Sequence, residues 1–245
     1  MKKFLLICVL FFSSLFAQQN VDVYTYHNHA PFITDKDKGL SYDLINYLNK
    51  QSDQFTFNLK VVPRKRLNYY LKPWISKKCG NTKKCSTEWM VLWVNHKWGF
   101  GKDSLENFNW TPLFEDSNAI IYSTKNKIEY KNPNSLIGKT LAGIGGHRYV
   151  GIDELVKEAK IERIDGKDEE KNLQKVLAGR VDVTLLPASA FVYYQLQDKS
   201  LNTLSASKTP HQSYMRNIMS TVKNPELYKF LKDLDFKGVL KEYAK

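Results

Sequence analysis

Five consecutive residues, Gly145-Gly146-His147-Arg148-Tyr149, are of types that could bind an anion. They lie between a predicted strand, 141–144, and a helix predicted to begin near Tyr149. Glycines allow a ligand close to the backbone, and a helix N-terminus offers unpaired N–H groups and a positive dipole end. Arg148 could add a bidentate hydrogen bond to a carboxylate. The alternative is a tight turn with a solvated arginine.

A second stretch, 93–100, follows a predicted buried strand and mixes aromatic with polar residues. Aromatic rings beside polar groups suit the wall of a binding cleft on which a ligand stacks. The alternative is ordinary core packing of large side chains. The candidate ligand-binding residues of this stretch are Trp93, Asn95, Lys97 and Trp98.

Two cysteines, Cys79 and Cys85, lie close together among lysines. In an exported protein such a pair favours a disulfide, and free thiols or a metal site are the alternatives. None of His, Asp or Glu falls between them to complete a metal site. The five histidines also match no metal-binding spacing, so we expect neither a metal nor a cofactor.

The N-terminus predicts the compartment. Lys2 and Lys3 precede an apolar run, 4–16, and Ala17 follows it, as in a secretory signal peptide. A helix over this run would measure about 20 Å, less than the ~30 Å of a bilayer core. We therefore expect cleavage near Ala17 and a periplasmic location, with an uncleaved anchor as the alternative.

Composition excludes several other classes of protein. The chain has 245 residues, of which 42% are hydrophobic and 25% charged, a globular balance. Only one long apolar run is present, which excludes a polytopic membrane protein. The net charge is +12, but the lysines are scattered and the predicted compartment is extracytoplasmic. We expect no nucleic-acid partner.

Predicted strands alternate with predicted helices along most of the chain, which indicates an α/β protein with parallel strands. The predicted strands are 21–26, 55–62, 90–94, 118–123, 141–144, 161–164 and 181–186. The predicted helices are 41–51, 66–71, one from near 149, 167–178 and one from 224.

Short motifs in a fixed order complete the pattern. They are Pro31-Phe32, Gly39-x-x-x-Asp43-Leu44, Pro63-x-x-Arg66, Trp110-Thr111-Pro112-Leu113, Ser135-Leu136-x-Gly138-Lys139, Gly143-x-Gly145-Gly146-x-x-Tyr149 and Leu177-x-Gly179-Arg180-Val181-Asp182. In this order the chain resembles the family 3 extracellular solute-binding proteins of ABC transporters, which include polar amino-acid receptors. The resemblance implies a two-lobed venus-flytrap fold that the chain crosses twice. Lobe I would be 18–117 plus 212–245, and lobe II would be 118–211.

The resemblance also implies ligand-binding positions in the cleft between the lobes. The Gly145–Tyr149 loop would contact a ligand carboxylate, and aromatic residues after the first strand would sandwich the ligand. Further positions implied by the family are Tyr26, Phe32, Arg66 and Asn118.

Two positions depart from the amino-acid receptors. Those receptors carry a Thr-x-x-Arg after the third strand, but no arginine lies between Arg66 and Arg148. Lys97 is a possible substitute without the planar fork of arginine. An acidic residue follows the 181–186 strand in the receptors, and Pro187 stands there in this chain.

The resulting expectation is a monomeric receptor, without catalysis, for a small polar solute that is anionic or zwitterionic. It would deliver this solute to the membrane permease of an ABC transporter. One alternative is a dehydratase-like enzyme on the same fold, with His147 or Asp116 as acid or base. The other is a ligand sensor or interaction protein.

Overall fold

The structure is a computed structural model that describes residues 18–79 and 84–241. The predicted signal peptide lies outside the described residues. The strands are β1 (Gln19–Thr25), β2 (Phe55–Val61), β3 (Trp89–Val94), β4 (Phe108–Ser123), β5 (Thr140–Ile144), β6 (Glu162–Gly166), β7 (Val183–Pro187), β8 (Leu204–Ala206) and β9 (Gln212–Thr221). The helices are α1 (Leu40–Gln51), α2 (Arg64–Ile75), α3 (Ser104–Asn107), α4 (Ile152–Lys157), α5 (Glu169–Leu177), α6 (Ala188–Gln197), α7 (Pro225–Lys232) and α8 (Lys237–Leu240).

The strands follow the order β2-β1-β3-β9-β4-β7-β5-β6, and β8 pairs with β4. Each half of this path contains the parallel strands that the alternating pattern predicts. In the first half β1 is parallel to β2 and β3, and in the second half β5 is parallel to β6 and β7. The antiparallel pair of β4 and β9 joins the halves.

The paired strands β4 and β9 are the longest continuous connection between the halves. Their register runs from Phe108 opposite Thr221 to Asn118 opposite Gln212. It shifts between Pro112 and Phe114, so that Leu113 is an extra residue on β4. Such a bulge re-aims neighbouring side chains and increases the local twist. Beyond this bulge, Phe114 lies opposite Arg216.

Four hydrophobic clusters pack against these strands. Two of them draw their described residues from 21–114 and 218–240, and the other two draw theirs from 119–204. Helix α1 supplies Leu44 and Leu48 to the first half, and α5 supplies Leu173 and Val176 to the second. The exact lobe boundaries given above stay a prediction.

Most predicted elements are confirmed, with shifts of a few residues at their ends. The pattern did not predict α6, β9 and the first half of β4, nor the short elements α3, β8 and α8. It also confirms the disulfide between Cys79 and Cys85. Within 18–79 and 84–241, no helix is long and apolar enough to cross a membrane.

Candidate functional site

An arginine on β9 lies at the junction of the two halves. The side chain of Arg216 is only 1% exposed, and its Nε donates to Asp116 Oδ2 at 2.6 Å. Its Nη1 donates to the carbonyl of Trp93 at 3.1 Å, and its Nη2 to the hydroxyl of Tyr214 at 3.3 Å. The guanidinium is therefore fixed in place and its charge is matched by a carboxylate.

Asp116, on β4, is equally buried and fully hydrogen-bonded. Its carboxylate accepts from the backbone N–H of Ser117 at 2.8 Å. It also accepts from the N–H of Ser189 at 3.2 Å and from the Ser189 hydroxyl at 2.8 Å. Ser189 lies in the first turn of α6, where backbone N–H groups have no partner within the helix. The ion pair thus joins both crossing strands to a helix of the second half.

Aromatic rings cover the guanidinium of Arg216. Its Cζ lies 4.5 Å from the ring centre of Phe32, 5.2 Å from that of Tyr214 and 5.7 Å from that of Trp98. Ring faces attract a cation, most strongly where water is excluded. Phe32 and Trp98, both predicted as ligand-binding residues, are therefore brought together around a residue that was not predicted.

Two histidines from the loop after β1 lie beside these rings. His27 is buried, with its ring 5.4 Å from Phe32 and 6.0 Å from Trp98. Burial and the nearby Arg216 charge hold the pKa of His27 well below its usual value. Burial likewise lowers the pKa of His29, although its hydrogen bond to the Ala30 carbonyl opposes the shift. Both rings are therefore neutral at pH 7.

A buried glutamate of the second half faces His29. Glu169 is the first residue of α5, its side chain is 12% exposed, and its Oε2 lies 3.8 Å from His29 Nδ1. That distance is too long for a hydrogen bond, and Oε2 has no hydrogen-bond partner among the described residues. Burial raises the pKa of Glu169 to about 7, while Arg216 acts in the opposite direction. This carboxyl group can therefore be protonated or ionised near neutral pH.

The predicted anion-binding loop departs from expectation. Helix α4 begins at Ile152 and has only six residues, so Tyr149 does not open a helix. The N–H of Tyr149 donates to Asp153 Oδ2 at 3.0 Å, so a carboxylate of the chain occupies that donor. Gly145 and Gly146 are exposed.

The arginine that organises this loop is Arg163, not the exposed Arg148. Its guanidinium stacks 4.8 Å from the ring centre of Tyr149 and donates to the carbonyls of Ile144 at 2.9 Å and His147 at 3.1 Å. His147 is exposed but close enough to His29 to lower the pKa of that ring. The loop thus borders the site, and Arg163 is held by the carbonyls of Ile144 and His147 and by the carboxylates of Asp153 and Asp165.

Trp93 was predicted to line the wall of a binding cleft, but the structure places its side chain in the core. Its side chain is completely buried, donates to the Ser41 hydroxyl at 2.8 Å and packs on Phe32 and Phe114. Its φ of 65° is unusual for a bulky residue, and the β3–β9 register shifts at the same place. At this irregular position the carbonyl of Trp93 accepts a hydrogen bond from Arg216, and its ring packs in the core.

Other residues predicted from this stretch are structural or exposed. Asn95 is buried, where its amide donates to the Met215 carbonyl at 2.9 Å and accepts from the N–H of Lys97 at 3.0 Å. The side chain of Lys97 is exposed. Trp98 contacts Tyr214 edge to face, with ring centres 4.9 Å apart. Of the four predicted residues, Trp98 is the one whose side chain joins the site.

The basic stretch after Pro63 contributes Arg64. Arg66 is exposed on α2, whereas Arg64 lies 4.7 Å from the ring centre of Tyr26 and 4.6 Å from that of Phe100. Arg64 also donates to the Trp98 carbonyl. It therefore supports two predicted site residues, Tyr26 and Trp98.

The predicted residue at the first crossing joins the hydrogen-bond network. Asn118 Oδ1 accepts from the Tyr214 hydroxyl at 3.0 Å. The site that the structure assembles thus consists of Tyr26, His27, His29, Phe32, Trp98, Asp116, Asn118, Glu169, Ser189, Tyr214 and Arg216. Within 18–79 and 84–241, no group of three or more His, Cys, Asp or Glu side chains could hold a metal ion.

Comparison with known proteins gives a likeness of fold. No family model and no curated protein matches the chain. A solved ancestral arginine-binding protein bound to arginine is 16% identical, with a TM-score of 0.58 over 93% of this chain and 99% of that one. The L-cystine solute receptor of Neisseria gonorrhoeae, in an unliganded open conformation, is 16% identical, with a TM-score of 0.60 over 92% and 89%.

A third solved structure, the VFT2 domain of Bordetella pertussis BvgS, is 14% identical, with a TM-score of 0.56 over 91% of each chain. These likenesses cover nearly the whole described chain, so the predicted two-lobed α/β fold is confirmed. The resemblance to family 3 solute-binding proteins holds at the level of the fold.

Proposed function

We propose that this chain is an exported receptor that captures a small polar solute between two lobes and delivers it to the permease of an ABC transporter. The lobes would be 18–117 plus 212–245 and 118–211, with the crossings in β4 and β9. The observation that carries this proposal is a pair of buried, unpartnered polar atoms at the junction, Glu169 Oε2 and His27 Nε2.

Unpartnered atoms of this kind favour a binding role over a structural one. A buried polar group without a hydrogen bond costs about 1–3 kcal/mol. The adjacent ion pair of Arg216 and Asp116 shows that the fold satisfies its structural polar groups at this place. Groups left unsatisfied beside it are suited to a solute that supplies the partner.

The two unpartnered groups also come from different halves. His27 follows β1 in the first half, and Glu169 begins α5 in the second. A solute that bonded to both groups would hold the halves together, which is the usual basis of hinge closure around a ligand. Closure would then signal occupancy to a transporter.

The neighbours in fold support this proposal. One is described as an arginine-binding protein and another as a cystine solute receptor, so binding rather than catalysis is the activity their names record. Asp116, a candidate acid or base for the enzyme alternative, is held in a buried ion pair. An anionic solute has less support, because Arg148 is exposed and Arg216 is already paired.

A thermal unfolding screen of residues 18–245 tests the proposal. The protein is first unfolded and refolded to remove any copurified solute, then heated with amino acids, amines, carboxylates and sugars. A solute at a hundred times its Kd stabilises the folded state by about 2.7 kcal/mol. We expect one chemical class to raise Tm by several degrees. A flat result for every class would contradict the receptor function.

A further inference from the structure

We infer that the solute is an organic cation with N–H donors, bound by Glu169, His27 and His29, rather than a carboxylate bound by Arg216. This inference rests on the receptor function proposed above. It concerns which charge the cleft is built to recognise.

The arginines near the site, buried Arg216 and partly buried Arg64, already have partners within the chain. Each nitrogen of the Arg216 guanidinium donates to a group of the protein, and its side chain is 1% exposed. Arg64 lies against two aromatic rings and donates to Asn68 Oδ1 at 2.9 Å and to the Trp98 carbonyl. A carboxylate of the solute would have to displace a partner of Arg216 to bind its guanidinium.

Glu169 is in the opposite situation. Its Oε2 is buried without a partner among the described residues, and the Nδ1 of His29 lies at 3.8 Å. That Nδ1 is 2.8 Å from the Ala30 carbonyl, which can only accept a hydrogen bond. The N–H of His29 therefore points to its own backbone, and Glu169 needs a donor from elsewhere.

The histidine rings present acceptors as well. Because Nδ1 of His29 carries the hydrogen, its Nε2 is a bare acceptor when the ring is neutral. The backbone of Trp93 also accepts a hydrogen bond from His27, whose Nε2 has no partner among the described residues. That ring nitrogen is then a second bare acceptor. A carboxylate oxygen and two imidazole nitrogens match the three N–H donors of a primary ammonium group.

The charges and rings agree with this assignment. Arg216 and Asp116 cancel, and both histidines are neutral, so an ionised Glu169 is the charge left unmatched beside that pair. Arg64, the other cation near His27, lies against the rings of Tyr26 and Phe100. Tyr26 and Trp98 lie beside His27, with ring centres 4.2 Å and 6.0 Å from it. Aromatic faces add further attraction for a cation.

Isothermal titration with matched probes tests the inference. The probes are n-butylamine, phenethylamine and agmatine, the zwitterion phenylalanine, and two sets of counterparts for the two monoamines: the carboxylates valerate and 3-phenylpropionate, and the N,N,N-trimethyl forms. We expect at least one monoamine to bind ten times more tightly than its carboxylate and trimethyl counterparts, because only the amine has both the charge and the N–H donors.

A substitution identifies the residue responsible. Glu169→Gln should weaken the best amine at least thirtyfold, while Glu170→Gln, which changes the exposed neighbour on the same helix turn, should change it less than twofold. Circular dichroism and thermal unfolding establish that both variants fold.

The outcomes separate the inference from the function. Tighter binding of a carboxylate, binding of phenylalanine without any amine, equal binding of a trimethyl form, or full affinity in Glu169→Gln would each overturn the inference and leave a receptor. Failure of every probe here and of every class in the thermal screen would overturn the receptor function, and the inference with it.

Discussion

Arg216 and Asp116 form an ion pair across the two strands that connect the halves of the molecule, with Nε and Oδ2 2.6 Å apart and both side chains 1% exposed. The pair lies directly beside the unpartnered Glu169, whose pKa both residues influence. The ion pair thus makes its hydrogen bonds within the protein and is structural, while the neighbouring carboxyl group of Glu169 is left to bind a solute.

Removing one partner of the Arg216–Asp116 ion pair should strongly destabilise the fold. Asp116→Asn leaves the buried Arg216 charge uncompensated, which costs about 3–5 kcal/mol in free energy of unfolding. Ser189→Ala removes one hydrogen bond to the same carboxylate and should cost about 2 kcal/mol. Urea denaturation measures both. Glu115→Gln, an exposed change on the same strand, is the control. A loss below 1 kcal/mol for Asp116→Asn would mean that the pair is not structural.

Glu169 should make the stability of the protein depend on pH. Its pKa in the folded state is about 7, above the ordinary 4.5, so the unfolded chain releases this proton at lower pH. The free energy of unfolding therefore falls as pH rises from about 4.5 to 7, because the folded protein then has to hold a buried charge. At pH 8 this loss amounts to about 3 kcal/mol. Glu169→Gln should be more stable than the parent at pH 8 and similar to it at pH 4.5.

Urea denaturation at both pH values, with Glu170→Gln as control, checks this sign. Greater stability of Glu169→Gln at pH 4.5 than at pH 8, relative to the parent, would contradict it. The titratable groups that act on Glu169 from its own helix and from the elements around it are Asp168, His29, Asp116, Tyr149, Tyr194, Tyr214 and Arg216.

Amine binding should depend on pH in the opposite direction. Binding of a cation requires Glu169 to be ionised, so affinity should fall about tenfold per unit as pH drops below 7 and level off above it. Titrations of the tightest amine from pH 5.5 to 8.5 measure this. A constant affinity over that range would show that the carboxyl group does not bind the amine.

The sequence predicted the elements whose signals are local. Asn224 and Pro225 mark the start of α7, and the Asn224 side chain accepts from the N–H of Leu227 as a cap should. Strand β1 alternates buried with less buried residues from Val21 onward, and β2 does so from Phe55 to Asn58. These patterns depend on neighbours in the chain, so they can be read without the fold.

The missed elements lack such signals because they face the junction. The first half of β9 is Gln212 to Asn217, a polar run whose partners are β4 and a site rather than a core. Helix α6 is apolar on most of its circumference, so no helical period stands out. Because β9 was not predicted, Arg216 was not predicted as a site residue either. Its position near the expected second crossing between the lobes was a signal that could have identified it.

Glu169 could not be selected from the sequence. It is one of three consecutive acids, with Asp168 and Glu170, at a helix start where acids are favoured by the dipole. Only packing decides which of the three turns inward. Pro187 leaves no acid at the end of β7, and the structure places an acid at the junction from α5 instead.

The Cys79–Cys85 disulfide should contribute to stability but not to binding. The double variant Cys79→Ser with Cys85→Ser opens a short loop, whose closure is worth about 2 kcal/mol in the chain-entropy model. The bridge lines a surface pocket with Tyr69, Tyr70 and Trp74 of α2, apart from the residues around Arg216. Urea denaturation should show the loss, and titration should give an unchanged amine affinity. A tenfold weaker affinity would link the bridge to the site.

Arg64 should matter more for binding than Arg66. Arg64 lies over Tyr26 and donates to the Trp98 carbonyl, so it holds two rings beside His27, whereas Arg66 is exposed. Loss of a partly buried cation–π contact is worth about 1–2 kcal/mol, which is roughly tenfold in affinity. Titration of Arg64→Ala and Arg66→Ala with the tightest amine compares the two positions, and Lys65→Ala is the exposed control between them. A larger loss in Arg66→Ala would favour the position implied by the family resemblance over the one that the packing indicates.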